Sequence, residues 1–142
     1  MTCKNLDELF AKIRTITGVG DIGYHEIRDG RLNPVHKTNT DALGVEKWKS
    51  THAERPVYIE KTPILKELLN TGKASSIANT KSDSRSDDAF FLFGIDSILI
   101  IPVVQEECIK GIICIASIGK LHEFSKEEIN ECTKAVNKHF NS

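Results

Sequence analysis

The residues able to carry chemistry in this 142-residue chain are four cysteines, five histidines and one polar–aromatic cluster. Cys3, Cys108, Cys114 and Cys132 are scattered, with no Cys-x-x-Cys pair, whereas zinc sites use closely spaced ligands. They read as small buried hydrophobes, with Cys3 an exposed terminal thiol. A dithiol enzyme needs Cα atoms within about 7 Å of each other. Cys108 and Cys114, six residues apart on one extended strand, would lie roughly 20 Å apart. The histidines are His25, His36, His52, His122 and His139, and none forms a His-x-x-x-His pair. No metal site and no catalytic residue is expected from them, since a lone strand histidine is more often a surface or hydrogen-bonded residue. His36 is the best placed for a pocket, on a polar hairpin arm. The cluster is Asn79, Asp83, Arg85, Phe90, Phe91 and Phe93. A ligand pocket combines apolar walls with a few fixed polar groups, and phenylalanines beside a Ser/Asp-rich loop supply both. The competing reading has the phenylalanines filling a core while the loop is solvated.

Composition narrows the partners. Nineteen basic against twenty acidic side chains leave a net charge of −1, so there is no electrostatic footprint for nucleic acid. No apolar run reaches the roughly 18 residues that span a bilayer, and the first residues lack a signal-peptide core. A cytoplasmic protein is expected, with no membrane partner, and the length suggests one domain over residues 1–142.

The elements that must position these residues centre on Gly94–Ser117. Two β-branched runs, Ile98–Val104 and Cys108–Ser117, flank a short break at Gln105-Glu106-Glu107, which predicts a hairpin. Neither run alternates, so both faces of the hairpin are covered. Pro102 predicts a bulge or an unpaired position. Asn5 and Glu8 have capping-box spacing ahead of the stripe Leu6, Leu9, Phe10, Ile13 and Ile16, which Gly18 ends. Asp29-Gly30 predicts a tight turn between Asp21–Arg28 and Arg31–Lys37, with Asn33-Pro34 placing the second arm near an edge. Residues 41–49 read as a loose helix or loop, and Val57–Ile59 as a short strand or extended link. Thr62-Pro63 starts a helix with the stripe Ile64, Leu65, Leu68 and Leu69, stopped by Gly72. Ala74–Ala78 reads as a strand and Asp87–Phe93 as a brief helix. Ser125 and Glu128 form a second capping box, Phe124 can staple onto Ile129, and Cys132, Val136 and Phe140 continue the apolar face.

Three strings then resemble the GAF domain family. Asn70–Asn79 with Asp83-Ser84-Arg85 looks like its helix–turn–strand and Asp/Arg loop. Gly94–Val103 with Ile109–Ile113 looks like its central hairpin, and Phe124–Ile129 like the start of its final helix. The resemblance implies an α+β, PAS-related fold: a six-stranded antiparallel sheet with N- and C-terminal helices on one face and loops and short helices on the other. It implies a small-molecule pocket on the second face and a regulatory or sensory role. It also implies a homodimer through the terminal helices Leu6–Ile16 and Ile129–Phe140. The cofactor is left open. Members similar to free methionine-R-sulfoxide reductases carry cysteines ahead of the central hairpin, and bilin-binding members attach their chromophore through a cysteine in the same region. Residues 79–97 contain none. Asn137-Lys138 is an isolated fragment of the cyclic-nucleotide-binding pattern.

Overall fold

A computed structural model of the chain describes residues 3–141, without the side chains of Cys3 and Lys4. The expected exposed thiol of Cys3 therefore lies outside the described residues. The order is α1 (Cys3–Thr17), β1 (Asp21–Arg28), β2 (Arg31–Lys37), α2 (Val45–Glu54), α3 (Pro63–Thr71), β3 (Ser75–Ile77), α4 (Asp88–Leu92), β4 (Ile95–Gln105), β5 (Cys108–Ile118) and α5 (Lys126–Phe140). The strands form one antiparallel sheet in the order β2-β1-β5-β4-β3.

The unbroken apolar runs of β4 and β5 are explained by that layering. Strand side chains alternate between faces, and here both faces are dry. Leu99, Ile101, Val103, Ile113 and Ile115 are buried together with Leu9, Phe10 and Ile13 of α1 and with Cys132, Val136 and Phe140 of α5. Ile98, Ile100, Ile112 and Ala116 point the other way, into a second core with Trp48 of α2, Leu65 and Leu68 of α3 and Phe90 of α4. The β4–β5 turn places Glu106 and Glu107 at φ of 54° and 65°, the geometry of a two-residue hairpin loop. The Ser125–Glu128 capping box forms with both of its bonds, and Phe124 and Ile129 belong to one cluster.

Several expectations are corrected. Among the described residues the sheet has five strands, not six. Val57–Ile59 makes a single bridge, Arg31 to Tyr58, before a 3-10 turn at Ile59–Lys61 takes the chain away. Asn5 does not cap α1, because the helix already runs from Cys3. Pro102 stays in register with Ile112, and the irregularity falls one step on, between Val103 and Val104. Pro102 lies beyond Ile100, the last β4 residue paired with β3, so β4 has only one neighbour there. The helix read at residues 41–49 runs instead over Val45–Glu54. Leu69, read into the α3 stripe, is exposed.

Gly111 sits where β5 passes β1. A Cβ there would collide with the carbonyl oxygen of His25 and lie 2.8 Å from Cε1 of Tyr24. The first is backbone of a paired strand and the second a ring atom of a buried tyrosine packed on Phe140, so neither yields cheaply. Gly111→Ala is expected to destabilise the protein by about 1–3 kcal/mol, as overpacked cores do. An unchanged urea midpoint would show that the strands separate more easily than this.

Candidate functional site

A cavity of about 60 Å³ lies between the sheet and the layer formed by α2, α3 and α4. Its floor comes from β1, β4 and β5, and its roof carries Trp48, His52 and Phe93. Two periodicities meet in it. Gly23 and His25 are two apart on β1 and share a sheet face, while Trp48 and His52 are four apart on α2 and share a helix face. Gly23 lets the indole approach, since a Cβ at that position would come within 3.1 Å of Cζ2 of Trp48. His25 meets Trp48 edge-on with ring centroids 5.0 Å apart, and His52 meets Phe93 at 5.2 Å.

The polar content of this apolar chamber is concentrated. The Nε2 atoms of His25 and His52 are 3.1 Å apart, within hydrogen-bond distance. The Nδ1 atoms of both rings, and Nε of Arg31, are buried without a partner. Burial, and then the neighbouring His52, holds the pKa of His25 well below the usual imidazole value. Burial, and then the charge of Arg31, lowers His52 to about 4. Both rings are therefore neutral at neutral pH. At one edge Lys37 donates to Asp21 Oδ1 at 3.1 Å and to the carbonyls of Thr38 and Leu43 at 2.6 and 2.8 Å. Burial lowers the pKa of Lys37, and the bond to Asp21 opposes that. Cys114 also faces the cavity, and burial pushes its thiol up to about 12.

The structure divides the residues singled out from the sequence. Phe90 and Phe93 line the cavity, whereas Phe91 is half exposed on the outer side of α4. Asn79, Asp83 and Arg85 form a brace rather than a wall. Arg85 reaches Glu67 of α3 at 2.7 Å, Asp83 at 2.9 Å and the Ser76 carbonyl of β3 at 2.8 Å. The side-chain bond from Arg85 lowers the pKa of Asp83, partly opposed by burial and reinforced by the backbone N–H and the charge of the same Arg85. The Oδ1 of Asn79 accepts the backbone N–H of Lys81 and closes the turn. His36 lies on the opposite face of the sheet, 2.7 Å from Asp7 and stacked on Phe10 of α1. The residues missed were His25, Trp48 and His52. Their signal is Gly-x-His on a strand and Trp-x-x-x-His on a helix, 27 positions apart between the imidazoles. Among the described residues no group of three or more His, Cys, Asp or Glu side chains gathers as a metal cage. No helix among them is long and apolar enough to cross a membrane.

No protein-family profile and no curated protein sequence matches this chain. Solved structures do. The GAF domain/HD domain protein from Geobacter sulfurreducens superposes with a TM-score of 0.79 at 17% identity, covering 96% of this chain and 87% of that one. The photoproduct state of GAF3 from Slr1393 of Synechocystis sp. PCC6803 gives 0.78 at 13% identity, over 99% and 92%. The blue-light absorbing form of the Thermosynechococcus elongatus PixJ GAF domain gives 0.76 at 10%, over 96% and 80%. At these identities the likeness is one of fold.

Proposed function

The chain has the fold of a GAF domain, and from that premise we propose that it is a non-catalytic regulatory or sensory domain that binds a small molecule. The observation carrying this reading is the cavity, an apolar chamber holding two neutral imidazoles with unpartnered nitrogens. A ligand there would contact Trp48, His52 and Phe93 overhead and Ile98, Ile100 and Ile112 below. Its chamber is small, which favours a compact molecule over a tetrapyrrole.

Transmission would run through β2. Lys37 faces the cavity, while its neighbour His36 faces α1 and holds Asp7. A ligand that prefers one position of α2 and β2 would thereby bias α1 and its partner α5 by population shift. The apolar stripes of both terminal helices are buried within the chain against the sheet. Pairing of two copies through these helices would therefore use their outward sides, around the groove lined by Glu8, Lys12, Lys138 and His139.

A redox-enzyme alternative draws no support from Cys114 or Cys132. Burial holds the thiols of Cys114 and Cys132 near 12, so almost none is thiolate. Trp48 is the single tryptophan, so its fluorescence reports on the cavity alone. Screening metabolites by thermal shift should find a compound that perturbs that fluorescence; at 100 times its dissociation constant it adds about 2.7 kcal/mol. Ala116→Leu, which places bulk in the cavity, should abolish the shift. Failure of every compound, or binding untouched by that substitution, overturns the reading in favour of a ligand-free scaffold.

A further inference from the structure

We infer that His25 and His52 form an acid-sensitive latch, which holds α2 over the cavity at neutral pH and releases it when the rings take up protons. The way α2 is fastened carries the inference. Trp48 and His52 are the buried residues of that helix, set among the exposed Glu46, Lys47, Lys49 and Glu54. Trp48 lies on Gly23 and edge-on to His25 of β1. His52 meets the same strand through the 3.1 Å contact between the two Nε2 atoms. Both anchors of α2 therefore close on His25.

That contact depends on protonation. Two neutral imidazoles so close are opposite tautomers, one donating through Nε2 and the other accepting there. A first added proton leaves an N–H···N bond in place but sets a cation in an apolar chamber. A second makes both Nε2 atoms donors, facing each other at 3.1 Å with no acceptor between them. Among the described residues, nothing around the rings offsets either charge. The charged and titratable groups lining the chamber or acting on the rings are Arg31 and Lys37 of β2, Asp21 of β1 and Cys114 of β5. Arg31 repels an imidazolium. Asp21 is committed to Lys37 and Thr40, and the Cys114 thiol stays neutral. From β4, α3 and α4 the lining is hydrocarbon, including Ile98, Leu65 and Phe90.

The direction of the response follows. Burial, with the neighbouring ring or Arg31 second, holds His25 well below the ordinary 6.5 and His52 at about 4. When α2 swings away, His52 regains water and returns towards 6.5. The open form then binds more protons than the closed one between pH 6.5 and about 4. Closure is complete above that window and weakens as pH falls through it. At tenfold per pKa unit, going from pH 7.5 to 5 raises the open-to-closed ratio roughly 30-fold through His52 alone. His25 adds to this. Because α2 carries Trp48 and His52 of the roof, acidity uncovers the cavity with or without a ligand in it.

Hydrogen exchange of the full chain, followed by mass spectrometry and corrected for intrinsic amide chemistry, tests the latch. Protection of the α2 amides should fall by roughly 30-fold or more between pH 7.5 and 5. Acrylamide quenching of Trp48 should rise in step, while circular dichroism retains the sheet. In His25→Leu with His52→Leu, whose side chains cannot titrate, the fall should nearly vanish. Nitrogen NMR of the imidazoles in the unsubstituted protein needs no variant. It should show opposite tautomers at pH 7.5, with protonation coinciding with α2 opening. Unchanged α2 protection, an equal fall in the double variant, or rings that protonate while α2 stays protected overturns the inference.

Discussion

Raising the pH from 9 towards 12 is expected to destabilise this protein steeply, because two thiols must ionise in the unfolded chain but resist it in the folded one. Cys132 on α5 is fully buried, and burial, reinforced by Glu128 and Glu131, pushes its pKa from 9.0 to about 12. Cys114 is raised to about 12 by burial alone. A folded pKa above the unfolded one gives stability that is complete below the unfolded value and is lost as pH rises through the folded one. At 1.36 kcal/mol per unit, each thiol can remove up to about 4 kcal/mol across that window. Tyr24, raised first by burial and then by Glu26, acts in the same direction at higher pH. Lys37, with its lowered pKa, acts against it. Urea midpoints measured in reductant at pH 8, 9.5 and 10.5 should fall, and Cys114→Ala with Cys132→Ala should flatten the profile. An equally steep profile in that double variant would place the loss elsewhere. Alkylation gives a second reading: exposed Cys108 should react far ahead of the other two.

The sequence is legible wherever a local rule is strong enough to stand alone. Ile98–Val104 and Cys108–Ser117 cannot satisfy their apolar side chains except between two covered faces, and from Ile98 to Val103 and from Gly111 to Ser117 that is where they lie, with Cys108 and Lys110 exposed beside the turn. Ser125 and Glu128 needed only each other. The candidate site is illegible for the opposite reason. His25 and His52 are joined by tertiary packing, and α2 offers a weak pattern in which Trp48 and His52 are its only buried residues among charged neighbours. His36, singled out for the polar arm it sits on, owes its actual face to one irregularity. In a regular strand it would share the face of Leu32, which lies in the second core. The register shift between Tyr24 and His25 changes the phase of β2, so Lys37 faces the cavity and His36 faces α1. The Asn79–Arg85 loop misleads differently. Its polar groups are bonded to one another and to α3 and β3, because charges brought close in a short loop pair before they can serve a ligand.

Lys37→Met is expected to be the most damaging single substitution outside the hydrocarbon core, costing about 3–5 kcal/mol. The Lys37 side chain is 3% exposed and that of its partner Asp21 is 10% exposed. Methionine keeps most of the stem but leaves the Asp21 carboxylate buried with the Thr40 hydroxyl as its remaining side-chain partner. It also releases the Thr38 and Leu43 carbonyls, which Lys37 ties to the sheet and which lead directly into α2. The cavity roof hangs from that link, so the damage should reach Trp48. Its emission should shift to the red in the folded variant, which a surface ion pair would not cause. Removing the stranded charge as well, in Lys37→Met with Asp21→Asn, should recover a good part of the loss, since the penalty comes from the uncompensated carboxylate. If the double variant is as unstable as the sum of the two single ones, the pair is not coupled. The tether to α2 would then rest on the carbonyl bonds alone.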